Sequence, residues 1–190
     1  APLCGGPRPL ATATGPATKA TKAGTKFRRL SESDLTSAGV TDARKFGQAW
    51  EDPSGMIWSD IAMNEDRSPS LMNYHDAKTY CESMGAELPS GWPEDQNGKG
   101  GFPKKDSDFV RLRKYMGAQS IAGYDYPDGY NPEILPNLSI TNEQGDEENL
   151  YYWASTPRHQ TRSKHYIFGG RKGNLDHEND VIDSTTTVRC

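Results

Sequence analysis

Cysteine is scarce in this 190-residue chain, which has three: Cys4, Cys81 and Cys190. No Cys-x-x-Cys pair occurs. His75, His159, His165 and His177 lack the spacing with which a helix presents two zinc ligands, so no zinc site is expected. No apolar run approaches the roughly 20 residues of a membrane-spanning helix, so membrane insertion is not expected. The net charge is −4 with both signs interspersed. Apart from a few N-terminal lysines, the concentrated basic face of a nucleic-acid binder is missing. No Gly-x-Ser-x-Gly elbow or other nucleophile motif appears, and the chain is read as a non-enzyme. Apolar residues are also in short supply. They make up 33% and mean hydropathy is −0.86, enough for one packed domain if part of the chain stays outside it.

Glycine and proline are plentiful, at 19 and 13, so long loops are expected. An odd cysteine count leaves the pairing open. Cys81 lies in a predicted helix and Cys190 ends a Thr-rich predicted strand; the two either form a bridge or are separate buried thiols. A bridge would enclose most of the chain, contribute about 4–5 kcal/mol in the chain-entropy account, and place the protein outside the reducing cytoplasm, extracellular, on the cell surface or in the periplasm. Cys4 is then left over, free or joined to a neighbouring chain.

Composition divides the chain in three. Residues 1–30 form a stalk, linker or oligomerisation segment. Residues 7–25 contain one large apolar residue, Leu10, too little to offset the entropy of ordering. Residues 31–49 read as a lead-in of short helical turns, one capped by Ser31 or Ser33 and one by Thr41. Globular patterning begins at Trp50, and residues 50–190 form the head. Within it, 50–59 reads as two short strands around a type I turn, with Pro53 second and Gly55 fourth. Asn73 caps a helix running to Met84, with Ala77, Tyr80, Cys81 and Met84 on one apolar face and Gly85 as its stop. Asp106 or Ser107 caps a second helix, 108–116, with Phe109, Leu112 and Met116 as its stripe. A polar Gly-rich loop lies between the helices. A longer irregular stretch follows Gly117 to about Leu150. Strands are expected over 151–155, 165–168 and 187–190, with turns at 158–164 and 169–174.

Six segments occur in a telling order: Asp52-Pro-Ser-Gly-Met-Ile-Trp58, Asp76-Ala-Lys-Thr-Tyr-Cys81, Glu87-Leu-Pro-Ser90, Asp108-Phe-Val-Arg-Leu112, Tyr152-Trp-Ala-Ser-Thr156 and Val188-Arg-Cys190. Together they resemble the C-terminal domain of the Legionella collagen-like adhesin and its relatives, within the C-type-lectin-like superfamily. The resemblance covers roughly residues 50–190. It implies an α+β, C-type-lectin-like fold with two helices, a small mixed antiparallel sheet joined by the chain ends, and long loops used for binding. It also implies the Cys81–Cys190 bridge. In architecture the chain resembles the tip of the trimeric fibre proteins of predatory bacteria such as Bdellovibrio, which implies a homotrimer.

The resemblance has limits. Calcium-dependent sugar binders of this superfamily carry Glu-Pro-Asn or Gln-Pro-Asp in the long loop and Trp-Asn-Asp in the next strand. Here those places read Asn131-Pro-Glu, Leu135-Pro-Asn137 and Trp153-Ala-Ser, so both carboxylate–amide sets are missing. Sulfatase-activating enzymes share the fold but need reactive cysteines, which this chain does not offer. No cofactor is expected, with calcium the one candidate ion. Asp146, Glu147 and Glu148 (with Asn149) are one possible ligand cluster, and Asp176, Glu178, Asp180 and Asp183 another, each equally readable as a solvated charge run. The expected function is an adhesin-like head binding a surface glycan or protein of another cell. Trp92, Tyr124, Tyr126, Tyr130, Asn131, His159, Arg162 and Arg171 are the candidate ligand-binding residues, on loops 91–105, 118–149 and 157–164 and at the 169–174 turn. A protein-binding module, or a cap that only registers a trimeric fibre, are the competing readings.

Overall fold

The computed structural model describes residues 17–20, 26–91, 106–119, 127–132, 134–141, 143–158, 161–171, 173–175 and 177–190. Along the chain these form β1 (Ala17–Ala20), β2 (Lys26–Leu30), α1 (Glu32–Ser37), α2 (Ala43–Phe46), β3 (Ala49–Glu51), β4 (Ile57–Trp58), α3 (Tyr74–Glu82) and α4 (Asp108–Tyr115), then β5 (Ser139–Thr141), β6 (Glu147–Asn149), β7 (Tyr151–Arg158), β8 (Thr161–Gly169) and β9 (His177–Asp180). The chain is α+β. Its strands form antiparallel sheets of order β1-β2-β3-β4, β5-β6 and β7-β8-β9. No helix among the described residues is long and apolar enough to cross a membrane.

Local chemistry places most of these elements. The 52–55 turn closes with Gly55 N–H donating to Asp52 O (2.9 Å). Asp52 also organises the turn through its side chain. Its Oδ1 accepts from Ser54 N–H (2.8 Å) and Met56 N–H (3.1 Å), and its Oδ2 from Trp58 Nε1–H (3.0 Å). The carboxylate is buried, so each bond lost leaves a desolvated donor. Asp52→Ala is expected to cost about 2–4 kcal/mol in urea unfolding, with Trp58 fluorescence shifted. Asn73 caps α3 by accepting from Asp76 N–H (2.9 Å), and Ser107 caps α4 by accepting from Val110 N–H (3.4 Å). Ser31 and Asp34 form a reciprocal capping box on α1.

Two hydrophobic clusters fill the interior, and the strands divide them. Along β7 and β8, Tyr152, Ala154, Tyr166 and Phe168 belong to one cluster, and Trp153 and Ile167 to the other. The period-2 alternation of a strand sends neighbours to opposite faces, so this pair is buried on both. Phe109, Val110 and Leu112 of α4 fill the first cluster, with Phe109 stacked on Phe168 at 4.6 Å between ring centroids. Leu35 of α1 and Ala77 and Cys81 of α3 fill the second. Phe27, Leu30, Leu35, Val40 and Phe46 are all buried in these clusters, so residues 27–46 pack into the same interior as the residues that follow Trp50.

Several expectations need correction. The two expected helices are α3 and α4, and α1 and α2 are the short helical turns expected in the lead-in, but three sheets replace one among the described residues. Asp42 rather than Thr41 caps α2, its carboxylate accepting from Lys45 N–H. Part of the N-terminal segment is strand: β1 pairs with β2. The stretch before Leu150 contains the β5–β6 hairpin, and β7 and β8 run through most of the expected 158–164 turn, putting Arg162 in a strand. The chain end forms no continuous strand. It makes single bridges, Thr186 with Met72, Thr187 with Tyr152 and Arg189 with Ile61, so its final residues stitch three segments together. The Tyr152–Thr187 bridge is parallel; the sheet ladders are all antiparallel rather than mixed.

Candidate functional site

Cys81 and Cys190 form a disulfide, with Cα atoms 5.7 Å apart and both residues fully buried. Of the other nominated residues, Trp92, Tyr124, Tyr126 and His159 lie outside the described residues, as do Cys4 and Asp176 and the side chains of Arg162, Glu147, Glu148 and Glu178. Asp146 is exposed, and no group of three or more His, Cys, Asp or Glu side chains able to hold a metal occurs among the described residues. Asp180 Oδ1 instead accepts from Ile182 and Asp183 N–H, which holds its carboxyl below the usual range.

Tyr130, Asn131 and Arg171 are brought together, but by backbone contacts. Asn131 N–H donates to Met116 O (2.7 Å), and the Tyr130 hydroxyl donates to Arg171 O (3.3 Å) while its ring packs on the core. Gly117, at φ +90°, lets this turn approach: a Cβ there would sit 3.2 Å from Tyr130 Cα. Tyr130 therefore joins the end of α4 to the 169–174 turn and is only partly exposed.

The described surface includes two clefts of different size. The smaller, about 190 Å³, lies between α3 and the start of α4 and is lined by Tyr74, Lys78, Glu82, Glu87, Ser90 and Asp108. Its polar groups are engaged with one another. Lys78 pairs with Glu82 at 2.6 Å. Asp108 accepts from Ser90 N–H (2.8 Å) and Arg111 (3.0 Å), although burial still raises its carboxyl pKa. Burial likewise raises the Tyr74 phenol.

Behind this cleft, His165 stacks on Tyr74 at 3.9 Å and is 8% exposed. Burial lowers its pKa, more than its backbone contact with Ala154 O raises it. The unfolded imidazole, near 6.5, then binds more protons than the folded one, so stability falls as pH drops below about 6.5 toward the folded value. Asp108, with its raised carboxyl pKa, acts oppositely at lower pH: its folded form takes up a proton above the unfolded value near 3.8, which adds stability as pH falls. Tm is expected to fall between pH 7 and pH 5, and His165→Asn to flatten that slope; an unchanged slope would remove His165 as its source.

The larger cleft, about 450 Å³, is within the range of small-ligand sites. Four separate segments build it: Gly47 and Gln48 after α2, Asp60 and Met63 after β4, Arg67 in the next turn, and Pro136–Asn137 before β5. Asp60 Oδ1 ties two of them, accepting from Ile61 N–H (2.8 Å) and Asn137 Nδ2–H (2.9 Å). Gly47, at φ +76°, passes close enough that a Cβ would lie 3.3 Å from Asp60 Cβ. Arg189 Nη2 donates to Pro136 O and the Tyr152 hydroxyl to Asn137 O, fixing the Pro136–Asn137 wall from within.

Arg67 and Asn137 are also the only non-glycine residues at positive φ among the described residues, at 68° and 60°. Asparagine tolerates that region; for arginine it costs roughly 1–2 kcal/mol. The 64–68 turn imposes it, with Arg67 N–H donating to Asn64 O and Asn64 N–H to Ser68 O, both at 2.9 Å. Ser68 N–H and Oγ–H bind Asp66, holding that carboxyl below its usual range. The Arg67 guanidinium itself makes no hydrogen bond or ion pair among the described residues. A strained residue whose head group satisfies nothing internal is a candidate for contact with something external.

No protein-family model matches the chain, and no curated protein or solved structure is significantly similar to it.

Proposed function

We propose that this chain is an extracellular recognition head with a C-type-lectin-like fold, which binds a glycan or other envelope component of a neighbouring cell and carries out no chemistry on it. The observation that supports this reading most is how the six resembling segments bind one another. Ser90 N–H donates to Asp108 Oδ2, and Asp108 N–H to Ser90 Oγ (3.0 Å). Ser155 N–H donates to Pro89 O (2.8 Å) and Gly91 N–H to Thr156 Oγ1 (2.9 Å). Trp153 N–H donates to Thr187 O beside the last segment, and Cys190 closes on Cys81. In the first segment, Trp58 packs on Phe109 of the fourth, with ring centroids 5.7 Å apart. Segments far apart in sequence thus form one framework, as expected where motifs report a shared fold rather than a local turn. The buried disulfide favours an oxidising compartment.

The test is binding of the purified chain to arrayed bacterial surface glycans and envelope fragments, with calcium and then with chelator. A selective hit is the expected result, and the chelator arm decides whether calcium takes part. Failure to bind any glycan or envelope fragment in either condition would sink the reading.

One observation favours a second reading, a cap that registers a trimeric fibre. β1 lies at the edge of its sheet, and among the described residues no strand pairs with its outer side, an arrangement that invites another chain. Deleting residues 1–25 keeps Phe27 and Leu30 in the core. If the cap reading holds, light scattering would show the shortened chain as a folded monomer and the full chain as a trimer.

A further inference from the structure

We infer that the cleft between Gln48, Asp60, Arg67 and Asn137 is a binding site for one acidic saccharide unit, with the sugar's anionic group at Arg67 and its ring hydroxyls at Asp60 and Asn137. The inference rests on the recognition-head reading only for the source of the sugar; the site is argued from its own chemistry. Arg67 supplies a planar fork of donors, suited to a carboxylate or phosphate group. Its side chain has no competing partner among the described residues, and its backbone is held in a conformation that arginine does not favour. Asp60 uses Oδ1 for Ile61 and Asn137, which leaves Oδ2 as an acceptor. Asn137 spends its Nδ2–H on Asp60, which leaves its Oδ1 as a second acceptor. Gln48 adds an amide that can donate or accept.

This mixture selects a ligand. Two acceptors beside one cation suit a molecule that is both an anion and a hydrogen-bond donor, which a hydroxylated acid is and a simple anion is not. The Asp60 carboxylate would repel a plain anion placed against it, while a ring hydroxyl can donate to it. Met63 and Pro136 add apolar surface for the C–H face of a sugar ring. An apolar ligand would leave Arg67, Asp60 and Gln48 without partners and is disfavoured for that reason.

The experiment is an amide-resolved NMR titration of the full chain with glucuronate, glucose 6-phosphate and glucose. A dissociation constant in the millimolar range is all that a single sugar unit can be asked to supply. Glucuronate, glucose 6-phosphate or both are expected to shift the amides of Gln48, Asp60, Arg67 and Asn137, with glucose much weaker; the stronger of the two names the anion. Arg67→Gln is expected to weaken binding about tenfold or more, and Arg67→Lys less, because lysine keeps the charge but not the fork. Arg67→Gly guards against misfolding as an explanation. It relieves the positive φ, so it should bind as poorly as Arg67→Gln while melting no lower than the parent chain. Equal response to glucose, no shift at these amides with either acidic sugar, or undiminished binding by Arg67→Gln would each overturn the site. Envelope binding on the array that survives Arg67→Gln would leave the recognition head standing while this cleft falls.

Discussion

Replacing both Cys81 and Cys190 by alanine is expected to lower the unfolding free energy by about 3–5 kcal/mol while leaving the secondary structure intact. The bridge spans a sequence separation of 109 residues. A loop of that length confines the unfolded chain strongly, so most of the loss comes from entropy regained in the unfolded state rather than from contacts broken in the folded one. The folded chain end has other anchors. Ser59 N–H donates to Cys190 O and Cys190 N–H to Ser59 Oγ, both at 2.7 Å, and Ala62 N–H donates to Val188 O (2.9 Å). Alanine keeps those backbone bonds and buries no new hydroxyl. Guanidinium unfolding of the parent, the reduced parent and the double variant tests this. Stability should fall while the denaturant slope rises, because the unlinked chain exposes more surface. A change below about 1 kcal/mol would mean that the unfolded chain stays compact without the bridge.

What could be read from the sequence was local. The 52–55 turn, the caps at Asn73 and Ser107, and the stops at Gly85 and Gly117 depend on residues within one turn of each other, and all are present. β9 could not be read that way. His177-Glu-Asn-Asp180 has no apolar alternation and is a strand because it pairs with Lys164–Ile167 of β8. β1, in a Thr- and Ala-rich tail, is a strand because β2 lies beside it. The core role of residues 27–46 was hidden by spacing: Phe27, Leu30, Leu35, Val40 and Phe46 follow no single period because strand, helix and turn each contribute.

The candidate cleft was hidden for a related reason. Its polar groups come from four segments between residues 47 and 137, and none forms a motif. Only Leu135-Pro-Asn137 stood out in the sequence, and for its departure from a calcium-binding pattern. The aromatic loop residues are more legible in sequence, yet the Tyr130 hydroxyl bonds Arg171 O and its ring packs on the core. The useful clue, an arginine at positive φ, is a property of the backbone that composition does not carry.

Arg189 is the second substitution expected to have a large effect. Its side chain is fully buried, with no carboxylate paired to it among the described residues. Nη1 donates to Ser59 O (2.6 Å), Nη2 to Pro136 O, and the guanidinium lies 5.5 Å from the centroid of the Tyr152 ring. One side chain thus bonds the loop after β4 to the long loop before β5. Arg189→Ala removes both donors and leaves a cavity, and a loss of about 4–5 kcal/mol is expected. Arg189→Met refills much of the space and removes the cost of burying a charge, but two buried carbonyls stay unpaired, so about 2–3 kcal/mol is expected. Arg189→Lys keeps a charge that can reach one carbonyl but not span both, and should fall below the alanine variant in cost. The order, alanine worst, separates a bonding role from simple space filling, under which methionine would be close to neutral. A local effect should accompany it. Pro136 and Asn137 form one wall of the cleft; with Arg189 gone Pro136 O loses its donor, and the bond from the Tyr152 hydroxyl to Asn137 O is left to hold that wall from within. Amide exchange at Asn137 and Leu138 is expected to quicken in the methionine variant under conditions where the rest of the chain remains protected. Glucuronate binding should weaken in parallel, because the acceptor on Asn137 is useful only while its backbone is fixed.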